Sequence, residues 1–100
     1  MIIRGFRARV HAGMEDEFER FFREQALPMV QQYAGLVSAH IGTPIEKRTN
    51  EFLMVTTWKD LDSLKEFTRD HWQEPSIDPA EKRLLQQTYL HHYRTDASGN

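Results

Sequence analysis

Phe52-Leu53-Met54-Val55-Thr56-Thr57-Trp58-Lys59-Asp60-Leu61 is the stretch on which the fold turns. Residues 52–59 read as a strand. Phe52, Met54 and Trp58 share one face at period two, while Leu53 and Val55 share the other. A strand that is apolar on both faces must be covered on both. Asp60 then stands in the position that caps a helix, and Leu61, Leu64 and Phe67 give that helix a buried stripe, expected to run to near Trp72.

Upstream, residues 2–11 read as the first strand. Ile2, Phe6, Ala8 and Val10 lie on one face, with Arg4 as the exception among them; Ala12-Gly13 ends the alternation. Residues 14–33 form an amphipathic helix through Met14, Phe18, Phe21, Phe22, Met29, Val30 and Tyr33. Glu15, Asp16 and Glu17 lie in its first turn, where the helix dipole favours negative charge. Pro28 lies inside it and removes a hydrogen bond, so the helix should kink or split near residues 24–28. Gly35 stops it, and residues 36–43 form the second strand, joined to the third by a hairpin loop at 44–50.

Downstream, Pro75 and Pro79 bound an irregular segment. Asp78-Pro79-Ala80-Glu81 is a helix start, with a capping aspartate, proline at the first position and glutamate at the third. A short helix carrying Leu84 and Leu85 follows, and residues 88–94 form the last strand. The order β-α-β-β-α-(α)-β is the split βαβ pattern of the α+β, ferredoxin-like class: a four-stranded antiparallel sheet with helices on one face. Residues 1–95 make one domain, and 96–100 a flexible C-terminal tail. Covering the other face of the sheet calls for a second copy, a homodimer in the form of a dimeric α/β barrel.

Composition narrows the chemistry. Hydrophobic residues make up 39% and charged residues 28% of 100 residues, an ordinary globular mix. The net charge of −2, from 13 basic and 15 acidic residues, argues against a nucleic-acid partner. Arg4, Arg7 and Arg9 followed by the acidic run Glu15–Glu19 read as two solvated faces of opposite sign. The absence of cysteine removes disulfides, thiolate metal sites and thiol nucleophiles. No secretory signal or membrane-spanning run is visible, so no membrane partner and a cytoplasmic location are expected. His91 and His92 are adjacent on a strand and point to opposite faces, and the five histidines show no metal-ligand spacing, so no metal site is expected.

Four stretches resemble the antibiotic biosynthesis monooxygenase (ABM) family: His11-Ala12-Gly13-Met14-Glu15 closing the first strand; Leu27-Pro28 followed by Ala34-Gly35-Leu36-Val37; Thr57-Trp58-Lys59-Asp60-Leu61-Asp62-Ser63-Leu64; and the closing His92-Tyr93. The resemblance implies a dimeric fold and several activities. Members include cofactor-independent monooxygenases of quinols and polycyclic aromatics, relatives that bind and degrade haem, and proteins without assigned activity. The haem-degrading pattern places an Asn on the first strand, a Trp in the second helix and a ligand His about ten residues on. Here the first strand has no Asn, the Trp position falls on Phe67, and the ligand position falls near Ile77, with His71 displaced from it.

The expected chemistry is therefore a cofactor-independent monooxygenase acting on a small aromatic or quinol compound. A non-catalytic dimeric ligand-binding or stress-response domain and a haem-binding or haem-degrading protein are the alternatives. His92 is the expected base: it shares a face with Leu90 and Arg94, beside the first strand and its arginines. Trp72 and His71, in the stretch before Pro75, complete the expected catalytic set. Trp58 and Trp72 would form an aromatic wall for a flat ligand. Phe22 and Phe67, otherwise helix-to-sheet core, join Trp58, His40, Tyr93 and Arg94 as the expected substrate contacts.

Overall fold

A computed structural model describes residues 1–69 and 71–96. Strand β1 (Ile2–Val10) is followed by α1 (Glu15–Phe21), a π-helical turn (Phe22–Ala26) and α2 (Leu27–Gln31). Then come β2 (Leu36–Gly42), β3 (Glu51–Trp58), α3 (Leu61–Thr68), α4 (Pro79–Lys82) and β4 (Leu85–Arg94). All pairings are antiparallel, in the order β2-β3-β1-β4. The four-stranded ferredoxin-like sheet expected from the sequence is present, with the helices on one face.

The first helix splits where Pro28 requires it. Proline has no N–H to return to residue 24, and the turn before it widens, so that the Leu27 N–H bonds to the Phe22 carbonyl five residues back. The second helix starts as read: the Asp60 carboxylate accepts from the Ser63 N–H at 2.8 Å, and this bond holds its pKa below the ordinary aspartate value. That helix ends earlier than expected. It stops at Thr68, because Arg69 turns to a positive φ of 61°, and Trp72 lies beyond it in a turn. Asp78 caps α4 through the Ala80 N–H at 2.8 Å. Leu84 and Leu85 do not sit on this helix: Leu84 follows it as core and Leu85 opens β4, which starts three residues earlier than expected. Early extension is favoured because Leu85 pairs with Val10 across a bulge. The tail expected from residue 96 lies outside the described residues from 97 onward.

Gly35 has a packing reason. A Cβ there would fall 2.3 Å from the Ser63 side chain, so only glycine lets this turn meet the start of α3. The core has two parts. One joins Ala8, Val10, Phe18, Phe22, Phe52, Met54 and Leu84, with Phe18 ring centroids 4.7 Å from Phe22 and 5.1 Å from Phe52. The other joins Ile2, Trp58 and Leu64.

Register explains the division. On the helix-covered face, the cross-strand row Leu36, Trp58, Ile2 is apolar, and so is the row Ile41, Met54, Phe6, Leu90. Between them runs Ala39, Thr56, Arg4, His92, a small and polar row. The two core clusters close over the apolar rows and leave a gap over the polar one. The opposite face carries Ile3, Leu53, Val55 and the largely exposed Tyr93, together with Arg7, Arg9 and Tyr89.

Candidate active site

Above the polar row lies a cavity of about 400 Å3, within the range that holds small organic ligands. Its floor is Arg4, Phe6, Met54 and Thr56 from the sheet. Phe22, Gln25 and Ala26 of the π-helical turn form one wall, so the widening imposed by Pro28 shapes the cavity directly. Phe67 of α3 and the segment Ser76–Asp78 close the other side, with Glu81 of α4. The exposed residues Gln25, Met29, Ser76 and Asp78 form the rim; Arg4, Phe22, Met54, Thr56 and Glu81 are buried.

Arg4 is 5% exposed. Its guanidinium donates to the Trp72 carbonyl at 2.7 Å, the Glu74 carbonyl at 3.1 Å and Nε2 of His92 at 2.9 Å. Its carbon lies 5.9 Å from the Phe67 ring centroid, a cation–π contact. Among the described residues no carboxylate pairs with it. Burial lowers its pKa to about 10, which leaves it charged at neutral pH. A buried cation held only by neutral acceptors favours an anion in the adjoining space. The expectation of a solvated arginine face therefore fails for Arg4: even and odd positions of a strand point to opposite faces, and Arg4 alone of the three turns inward.

His92 lies beside Arg4 in register and accepts its hydrogen bond, which requires the neutral ring. Burial first, then the Arg4 charge and His91, hold its pKa below the ordinary histidine value. Its ring meets Trp72 edge-on at 5.0 Å. His92 and Trp72 are thus brought together, behind Arg4 and not on the cavity wall. Trp58 is fully buried and stacks on Phe67 at 5.4 Å and 13°, backing the wall that Phe67 forms. Its indole N–H donates to the Thr56 hydroxyl at 2.9 Å.

Of the other expected contacts, Phe22 and Phe67 line the cavity. His40 and Tyr93 project from the opposite face of the sheet, opposite Val55 and Ile3, and cannot reach it. Arg94 is exposed at the end of β4, opposite Ile2 and outside the cavity. His71 is 76% exposed and pairs with Glu74 at 3.6 Å. The haem-degrading arrangement does not fit: Phe67 and Ile77 line the cavity where that pattern has Trp and His, and no histidine is on its wall. Among the described residues no three His, Asp or Glu side chains gather as a cation site would require.

Three residues of the site escaped the sequence. Arg4 was visible as a break in an apolar face, and Thr56 breaks the facing strand at the register partner of Arg4; the coincidence needs the register to be seen. Glu81 read as the third residue of a capped helix, yet it is 3% exposed and on the cavity wall. Burial, then the nearby Asp78 charge, raises its pKa to about 7, against the hydrogen bond its carboxylate receives from the Asp78 backbone.

The fold is shared with many solved structures. An antibiotic biosynthesis monooxygenase superposes with TM-score 0.76 at 13% identity, over 96% of this chain and 99% of that one. SnoaB, a cofactor-independent oxygenase from Streptomyces nogalater, gives 0.71 at 18%, over 94% and 91%. A NIPSNAP domain protein from Burkholderia xenovorans gives 0.68 at 20%, over 97% and 96%. No curated protein matches the sequence. No helix among the described residues is long and apolar enough to cross a membrane. The antibiotic biosynthesis monooxygenase model matches residues 1–74, three of the four strands and the helices that wall most of the cavity, and the chain belongs to that family.

Proposed function

We propose that this chain is a cofactor-independent monooxygenase that takes a small aromatic or quinol compound into the cavity. The observation that carries the reading is Arg4, a buried cation without a carboxylate partner among the described residues, at the floor of a mostly apolar cavity. In this chemistry the substrate is its own electron donor. Loss of a hydroxyl proton makes an electron-rich anion, and a guanidinium aimed at that oxygen stabilises it in a site from which water is excluded. A hydroquinone would yield a hydroxyquinone and water: one atom of dioxygen enters the ring, and the other leaves with two substrate hydrogens. The kinship with SnoaB supports the reading.

His92 and Trp72 act through Arg4 here. Both are positioning residues, one through Nε2 and the other through its carbonyl. Dissolved-oxygen consumption by the purified, metal-stripped protein, against hydroquinones and anthrone-like compounds, tests the reading. Uptake should exceed the spontaneous rate and fall about 100-fold or more in Arg4→Gln. His92→Ala should lower kcat with KM little changed, and His92→Gln, which restores an acceptor, should recover part of the loss. Binding of these compounds without oxygen uptake would instead make the chain a ligand-binding domain.

We further propose a homodimer joined through the open face of the sheet. Ile3, Leu53 and Val55 present apolar surface there, and Tyr93 is 57% exposed. Light scattering at micromolar concentration should give twice the chain mass of 11.8 kDa; the single mass would refute it.

A further inference from the structure

We propose that Glu81 is the proton acceptor of the cavity, taking the proton of a substrate hydroxyl whose oxygen is then held by Arg4. The cavity would thereby select aromatic compounds that carry an acidic hydroxyl, as phenols, enols and quinols do. The inference rests on the oxygenase reading and deepens it by placing the base.

Geometry carries the assignment. Three groups on the cavity wall are charged or titratable: Arg4, Asp78 and Glu81. Asp78 is exposed at the rim, and its carboxylate is occupied in capping α4 through the Ala80 N–H. His92 is off the wall, and its acceptor nitrogen already takes the Arg4 hydrogen bond. Glu81 is buried and lines the same cavity as Arg4; the Asp78 backbone N–H occupies only part of the acceptor capacity of its two carboxylate oxygens. Among the described residues no lysine or arginine pairs with it, though the neighbouring Arg83 is paired with Glu17. An ionised carboxylate buried without a cation gains from taking a proton, and a buried guanidinium gains from receiving an oxyanion. Moving one proton from substrate to Glu81 satisfies both. The bonds balance: the substrate O–H breaks, a carboxyl O–H forms, and the electron pair stays on the substrate oxygen. With a pKa of about 7, Glu81 is poised for a base that works near neutrality.

The test has two arms. In the first, 4-cyanophenol is bound to the whole protein just above pH 7, where Glu81 is ionised. The ultraviolet band of the bound phenolate and the protons released to the buffer are measured together. The wild-type protein should form phenolate with no net proton release, because Glu81 keeps the proton. Glu81→Gln should release a proton for each phenolate formed or leave the ligand neutral. Failure to bind, absence of the phenolate band in the wild-type protein, or equal proton release in both would overturn the assignment.

The second arm is oxygen uptake on a compound that the wild-type protein oxidises. Glu81→Gln should lose about 100-fold in kcat with KM little changed, and Glu81→Asp should keep part of the rate. The wild-type kcat should fall on acidification through about pH 7. An unchanged kcat in Glu81→Gln would overturn the assignment while leaving the oxygenase reading in place. Phenolate transfer in the first arm with no substrate oxidised would do the reverse.

Discussion

Strand β1 carries arginine on both faces of the sheet, and the two faces treat it in opposite ways. Arg7 and Arg9 point to the open face, half exposed, and share the Glu51 carboxylate at 3.3 and 3.9 Å; Arg7 also lies 4.6 Å from the Tyr89 ring centroid. Arg4 points to the covered face, buried, and finds only carbonyls and an imidazole. Same residue type, same strand, a few positions apart: the parity of the position decides whether the charge meets a surface carboxylate or is buried among neutral acceptors. Charge at a functional site is recognised less by its presence than by what it has been denied.

The largest expected effect breaks the covered face. Arg4→Ala strands two carbonyls and the His92 acceptor, each costing about 1–3 kcal/mol when left unsatisfied. The loss should total about 2–3 kcal/mol, because these groups are only partly buried, read as a lower urea midpoint at unchanged slope.

Glu81 gives the next effect, and its sign depends on pH. Its folded pKa, near 7, is raised above the ordinary 4.5, so the native state binds more protons than the unfolded one between those values. Stability from this group is full below pH 4.5 and is lost as pH rises through about 7. Glu81→Gln should therefore leave stability unchanged near pH 4.5 and raise it above pH 7, by at most about 3 kcal/mol. Denaturant unfolding at the two pH values measures it; a variant less stable at both would show that the buried carboxylate is not a cost. A residue that weakens the fold where it is ionised is what a site kept for chemistry predicts.

The smallest effect sharpens the contrast. Arg7→Ala, on the open face, should change stability by less than about 1 kcal/mol, and by less still at high salt, because exposed ion pairs are weak and screened. An effect equal to that of Arg4→Ala would dissolve the comparison.

The elements were legible where the chemistry is local. Asp60 and Asp78 each cap the helix their sequence announces, and Pro28 divides the first helix as a missing N–H must. The alternation in β3 announced its buried face, on which Phe52, Met54 and Trp58 all lie. Of the boundaries that failed, β4 begins at Leu85 because that residue pairs with the distant Val10, and α3 stops at Thr68 because Arg69 takes a positive φ that no glycine or asparagine announces. The site was half legible. Strand order placed His92 beside the first strand, and Phe22 and Phe67 on the flanking helices. What Nε2 of His92 would face, and that the chain between α3 and α4 would fold back to close on Arg4, depends on register and on a loop without periodicity. His40 and Tyr93 were misplaced by the same ignorance of faces. Glu81 concealed itself in a capping motif that explains a glutamate there without any need of burial.

The two carbonyls that hold Arg4 come from Trp72 and Glu74, and a carbonyl is the one group every amino acid brings. The clamp thus asks nothing of the Glu74 side chain, while the Trp72 ring packs against His92 and not on the guanidinium itself. Substitutions at Glu74 can therefore accumulate while the guanidinium keeps its place, so the segment beside the cavity can change its surface without surrendering the charge at the floor.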